Sequence, residues 1–184
     1  MESLQGQLLV ATVDLVDPNF ARSVLLMLDH GEEGATGLVL NRQTGVTLVE
    51  VAGQVFEVPI DWPKPIHLGG PVPGPLLALH GDADLSDREI MAGVHCSGSA
   101  ENLLELARLR VEPSLFLANY SGWGPGQLEA EIAEGSWLTW PASSNLILVD
   151  GPVGLWEAVH RQIQAGRLAR MLNLREIPSD PRLN

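Results

Sequence analysis

Apolar residues along this 184-residue chain fall in short blocks, and polar stretches rich in glycine and proline separate them. Short apolar runs bounded by turn residues predict strands buried within a sheet. The clearest instance lies between Asp17 and Arg42. Asp17-Pro18-Asn19 turns the chain, residues 24–28 are all apolar, a polar tip covers residues 29–35, and a second apolar block covers 37–40. Two such blocks around a polar, glycine-containing tip predict a β-hairpin with both strands inside the sheet. Its polar residues crowd at the ends, as Arg22, Asp29, His30, Asn41 and Arg42.

The same reading extends along the chain. Residues 8–13 predict a first strand, and Asp14 to Asn19 a turn in which Asp and Asn bond their own backbone and Pro18 fixes φ. Thr47 is placed to cap a short helix over 48–53, and prolines 59, 63 and 65 rule out a long element after it. The run from Gly69 to Pro75, with three glycines and three prolines, predicts a loop. Strands are expected at 76–80, 89–94, 115–120, 137–140 and 146–149, and turns at 81–87 and 121–126. Ser99 begins an amphipathic helix over 100–110, with leucines 103, 104, 106 and 109 on one side. Further helices are expected over 127–134 and from Pro152 to about residue 165. Strands alternate irregularly with short helices, and no segment repeats. That pattern predicts an α+β fold with a mixed, mainly antiparallel sheet.

Size and charge narrow the class. The length suits one domain, expected over residues 1–165, with an arginine-containing tail over 166–184. Such a domain buries roughly 70% of its unfolded surface and needs neither metal nor disulfide to fold. The single cysteine, Cys96, excludes an intrachain disulfide. The N-terminal residues lack a basic region before their short apolar run, and no apolar stretch reaches the ~20 residues of a membrane span. A soluble, cytoplasmic protein is the expectation. Net charge is −12, which repels phosphate backbones and argues against direct nucleic-acid binding. Residues 161–184 reverse the balance, with five arginines against Glu176 and Asp180.

Several blocks, in order, resemble the YqgE/AlgH family of bacterial proteins. They are Leu4-Gln5-Gly6, Asp17-Pro18-Asn19-Phe20 with Arg22-Ser23-Val24, His30, and Gly37-Leu38-Val39-Leu40-Asn41-Arg42. Gly69-Gly70-Pro71-Val72, Leu79-His80, Gly122-Trp123-Gly124, Gly126-Gln127-Leu128, Glu131 and Trp137 follow. The chain departs from the family pattern at Val13 and Gln43, where proline is usual, and in its C-terminal segment. The resemblance implies one α+β domain, with a branched, partly barrel-like sheet flanked by short helices. Some members carry the label of transcriptional regulator, without a recognisable DNA-reading element. No catalytic residues come with it.

Four groups of residues have the composition of a site. Arg22, His30, Asn41 and Arg42 include two arginines beside an amide, a set suited to an anion, a carboxylate or a partner protein. Their alternative role is to hold Asp14, Asp17 or backbone carbonyls. His80, Asp82, Asp84 and His95 lack the tight ligand spacings of a metal site, and Cys96 beside His95 points to the opposite face of a strand. The glycine runs match no nucleotide-binding motif. Trp123 suggests a partner surface if exposed. The expectation is therefore a non-enzymatic regulatory or interaction protein with no cofactor or metal, acting on another protein. The alternative is a domain, or an enzyme, taking a small anionic ligand near Arg22, Asn41 and Arg42.

Overall fold

The structure, a computed structural model, describes residues 3–148 and 154–171. Ten strands, β1 (Gln7–Ala11), β2 (Val24–Gly31), β3 (Gly34–Val39), β4 (Gln43–Thr47), β5 (Pro65–Leu68), β6 (Val72–His80), β7 (Arg88–Met91), β8 (Val94–Ser97), β9 (Ser114–Trp123) and β10 (Trp137–Pro141), form one sheet among the described residues. Five helices accompany it among the described residues: α1 (Leu48–Val55), α2 (Ala100–Leu109), α3 (Gln127–Ala133), α4 (Ser144–Ile147) and α5 (Leu155–Met171). The fold is α+β, and the mainly antiparallel sheet curls into a half-barrel.

The predicted central hairpin is present. β2 pairs antiparallel with β3, Leu26 facing Leu38 and Gly31 facing Gly34, so the strands reach into the polar tip. The sheet runs β10-β1-β2-β3-β9-β6-β8-β7. It branches at β9, where residues 121–123 pair with β3 while 116–118 pair in parallel with β5. Gly69 lies at this fork: its N–H donates to Ala118 O at 2.7 Å and its carbonyl accepts from Val39 N at 2.8 Å. A side chain would not fit there, because a Cβ on Gly69 would stand 2.5 Å from Asn119 O. Curling brings β7 toward β2, where Arg88 Nη2 donates to Leu28 O at 3.2 Å.

Apolar positions explain the layering. β2 is buried along Val24 to Leu28 on both faces. One core gathers Leu8, Leu25, Leu38, Leu117 and Trp156. A second lies under α1 and α2, built from Leu48, Phe56, Leu103, Leu106 and Phe116. Burying both faces of these strands supplies the main apolar stabilisation.

Six local expectations are corrected. The Gly69–Pro75 run is not all loop, since β6 begins at Val72. Val72 faces Tyr120 and Leu76 faces Ala118, so a bulge absorbs Pro73 and Pro75, whose missing donors the ladder does not need. Residues 89–94 are not one strand but the β7–β8 hairpin, reversed at Gly93 with φ 74°. Ser121 to Trp123 continue β9 rather than turning. Of the strand expected at 146–149, residues 146–147 belong instead to α4, and residue 149 lies outside the described residues. On α2 the buried positions are Leu103, Leu106 and Ala107, while Leu109 is exposed. The last helix continues past residue 165 to Met171; Pro152 and residues 172–184 lie outside the described residues.

Candidate functional site

The open end of the central hairpin is tied together by one amide. Asn41 Oδ1 accepts from Val24 N at 3.0 Å, and its Nδ2 donates to Arg22 O at 2.9 Å. Asn41 thus extends the β2–β3 ladder beyond the strands with both its polar atoms. The turn before β2 is equally fixed. Asp17 Oδ1 accepts from Asn19 N at 2.8 Å, and Asp17 O accepts from Phe20 N and Ala21 N. Arg22 then takes the left-handed conformation, φ 55°, which costs a non-glycine residue ~1–2 kcal/mol. Arg42 Nη2 donates to Ala21 O at 3.2 Å.

The Arg22 guanidinium lies over the Trp156 ring, 5.7 Å from its centroid. Trp156 is in turn held by a 2.7 Å bond from Nε1 to Ala11 O and stacks on His160. The ion pairs among the described residues involve His30, Lys64, Arg88 and Arg110, and neither Arg22 nor Arg42. A cavity of about 320 Å³ opens beside Arg22, lined by Val13, Leu15, Val16 and Trp156. The loop from Thr12 to Val16 also borders a second cavity of about 620 Å³, which carries Asp14, Asp17 and Glu134. Positive and negative groups thus line different cavities.

His30 does not join the arginines. It sits at the other end of β2, six residues from Val24 and hence roughly 20 Å away. Its Nδ1 accepts from Leu4 N at 3.2 Å, which places the ring proton on Nε2, 3.2 Å from Glu129 Oε1. That contact is electrostatic and too oblique for a hydrogen bond. His30 therefore links the N-terminal segment to α3.

Trp123 is not a surface. It is 6% exposed, stacks with Phe20, and meets Trp137 edge to face. Glu131 Oε2 accepts from both indoles, Trp123 Nε1 at 3.0 Å and Trp137 Nε1 at 2.8 Å. Glu131 Oε1 accepts from Gln127 Nε2, whose Oε1 accepts from Gly124 N. The Gly122–Trp137 blocks are thus joined by one hydrogen-bonded network that fastens α3 to β9 and β10.

The remaining histidines are internal. His80 and His95 face each other on β6 and β8 with rings stacked at 6.1 Å. Ser97 Oγ donates to Leu85 O at 2.6 Å, so His80 Nε2 must donate to Ser97 Oγ at 2.9 Å. Burial, followed by the nearby His95, lowers the His80 pKa. Burial pushes the Cys96 thiol up to about 11, which makes it a poor nucleophile. Among the described residues no three His, Cys, Asp or Glu side chains are placed to hold a metal ion.

Asp87 supports the start of α2 in place of Ser99. Its Oδ2 accepts from Gly98 N and Ser99 N at 2.7 Å, and its Oδ1 from Ser99 Oγ and Asn102 Nδ2. Desolvation raises its pKa, but these four donors outweigh it and hold the carboxyl at about 2, below its ordinary 3.8. A depressed carboxylate stabilises the fold above its unfolded pKa and loses that contribution as pH falls through the folded value. Asp87→Asn is expected to lower the melting temperature at pH 7, with the gap to wild type closing between pH 4 and pH 2. Melts across that range check it.

The fold and this end of the hairpin define a single-domain α+β protein on a curled, branched sheet, in which Arg22 and Arg42 have no carboxylate partner among the described residues. By sequence the chain belongs to the AlgH-like family, DUF179, whose model matches residues 8–166. It is 36% identical over 179 residues to a UPF0301 protein of Chlorobaculum tepidum, covering 94% of this chain and 93% of the relative. A UPF0301 protein of Myxococcus xanthus is 39% identical over 165 residues, covering 88% and 91%. The solution structure of AlgH from Pseudomonas aeruginosa superposes with TM-score 0.74 at 32% identity, over 95% of each chain. A crystal structure from Corynebacterium diphtheriae gives 0.73 at 25% identity, over 88% and 87%.

Hairpin pairing was expected to bring Arg22 near Asn41 and Arg42; in the structure Asn41 bonds the backbone carbonyl of Arg22, and Arg42 that of Ala21. Sequence reasoning missed Trp156, which lies 145 residues from its partner Ala11 and carries no local signal.

Proposed function

We propose that this chain is a non-enzymatic binding protein, which docks an anionic group of a protein partner at the Arg22–Asn41–Arg42 end of its central hairpin. One observation carries the reading. On a chain of net charge −12, with 23 acidic residues available, two neighbouring arginines have no carboxylate within ion-pair range among the described residues. Backbone bonds from Asn41 and Arg42 fix the segment that carries Arg22, so little ordering cost remains to be met on binding. A regulatory role in transcription would then run through a protein contact, since the charge opposes a phosphate backbone.

A thermal-shift panel of carboxylates, phosphates and nucleotides tests it. An anion at 100 times its dissociation constant stabilises by about 2.7 kcal/mol. For a domain of this size that raises the midpoint by roughly 5–10 °C. Arg22→Gln is expected to abolish the shift while lowering its own melt by only about 3 °C, through the lost cation–π contact. A flat panel together with a severe loss of stability in Arg22→Gln would make the arginine purely structural and overturn the proposal.

A further inference from the structure

We infer that the group received at Arg22 is a single carboxylate carried beside a bulky apolar side chain, on a segment of a partner protein. The inference rests on the anion-docking reading above and specifies its ligand.

The cavity beside Arg22 has one charged side chain in its lining, and the rest is nearly all apolar: Val13, Leu15, Val16 and the Trp156 ring. Apolar surface beside the guanidinium strengthens one bidentate arginine–carboxylate pair once the occupant covers it and excludes water. It offers nothing to the remaining charge and oxygens of a phosphate, which want several donors. Its volume, about 320 Å³, holds a group the size of one residue.

The apolar surface does not stop at the cavity. Val16 is 83% exposed and Val13 65% exposed, and both stand at its rim. A free small acid filling the cavity would leave those valines in water, whereas a chain segment continuing past the carboxylate covers them. The charge distribution limits the segment in turn. Asp14, Asp17 and Glu134 border the adjacent cavity across the same loop, so a run of acidic residues is repelled where one carboxylate is not. The occupant is one acid flanked by aliphatic or aromatic residues.

Calorimetric titration of the full chain tests this with four probes: Ac-Leu-Glu-Ile-Leu-amide, its Gln counterpart, sodium acetate and inorganic phosphate. The Glu peptide is expected to bind roughly 10–100-fold tighter than the Gln peptide, the worth of a charged hydrogen-bonded pair. It is expected to exceed acetate by at least as much. Val16→Ser, a change at an exposed position that leaves the melt within about 2 °C, is expected to weaken the Glu peptide roughly tenfold. If acetate or phosphate binds as tightly as the Glu peptide, the apolar carrier is wrong and the anion site stands. If Glu and Gln peptides bind equally, the carboxylate assignment falls. If none of the four binds, the inference and the anion-docking reading fall together.

Discussion

Gly70→Ala is expected to remove at least about 4 kcal/mol of stability and to leave little soluble protein. A Cβ at this position would stand 2.2 Å from Tyr120 O, 2.3 Å from Tyr120 C and 2.3 Å from Ser121 Oγ. Two of these are backbone atoms of β9, the strand on which the sheet branches, and Tyr120 is in register with Val72 of β6. The neighbour cannot step aside without breaking that pairing. Ser121 Oγ also donates to Gly69 O, so a shift there loosens the fork from both sides. Urea unfolding of purified material, or the soluble fraction where none can be purified, measures the effect. A loss below about 1 kcal/mol would mean that the fork is softer than this packing requires. The sequence marks Gly69–Pro75 as a loop; the geometry gives Gly70 a different reason, a close approach between two backbones at a branch point.

The second large effect is expected at Glu131. Its carboxylate is the acceptor for two buried indoles, since Trp137 is 2% and Trp123 6% exposed. Glu131→Ala leaves both N–H groups without a partner, at about 1–3 kcal/mol each, and detaches Gln127. Because Glu131 itself is half-buried, water recovers part of this, and a net loss of about 2–4 kcal/mol is expected. Glu131→Gln should fall between wild type and alanine. One amide oxygen can serve the two indoles, but its NH₂ then meets the NH₂ of Gln127, which is already committed to Gly124 N through its oxygen. Chemical denaturation of the three proteins, followed by tryptophan fluorescence, checks the ranking. Equal stability of the alanine and glutamine variants would contradict the network.

How far the chain could be read from its sequence follows from how local each signal is. The central hairpin was legible because its two apolar blocks and polar tip lie within 26 residues, and antiparallel pairing then brings Arg22, Asn41 and Arg42 to one end. The same pairing sends His30 to the other end, so sharing a hairpin did not make these four residues one site. Trp123 read as a surface candidate because nothing local discloses that Phe20, 103 positions earlier, stacks on it. Pro73 and Pro75 argued correctly against ladder bonds at their own nitrogens, yet a bulge let the strand pass through them, with Gly74 N donating instead to the Asn119 side chain. The strand expected at 146–149 failed for a different reason: a run of four is too short for periodicity to separate helix from strand, and residues 146–147 end α4. The cavity at Arg22 needed Trp156 from the far end of the chain, and no pattern in residues 12–22 supplies it.

Whether Arg22 and Arg42 receive an anion decides the proposed function. Following the arginine Nε–Hε resonances of ¹⁵N-labelled protein through an acetate titration tests this most directly, because it reads each guanidinium separately. The prediction is saturable movement of Arg22 and Arg42, with Arg88 and Arg110, already paired to Asp29 and Asp61, staying in place. Equal, non-saturating drift of all four arginines would show ordinary salt screening, and would contradict a site at this end of the hairpin.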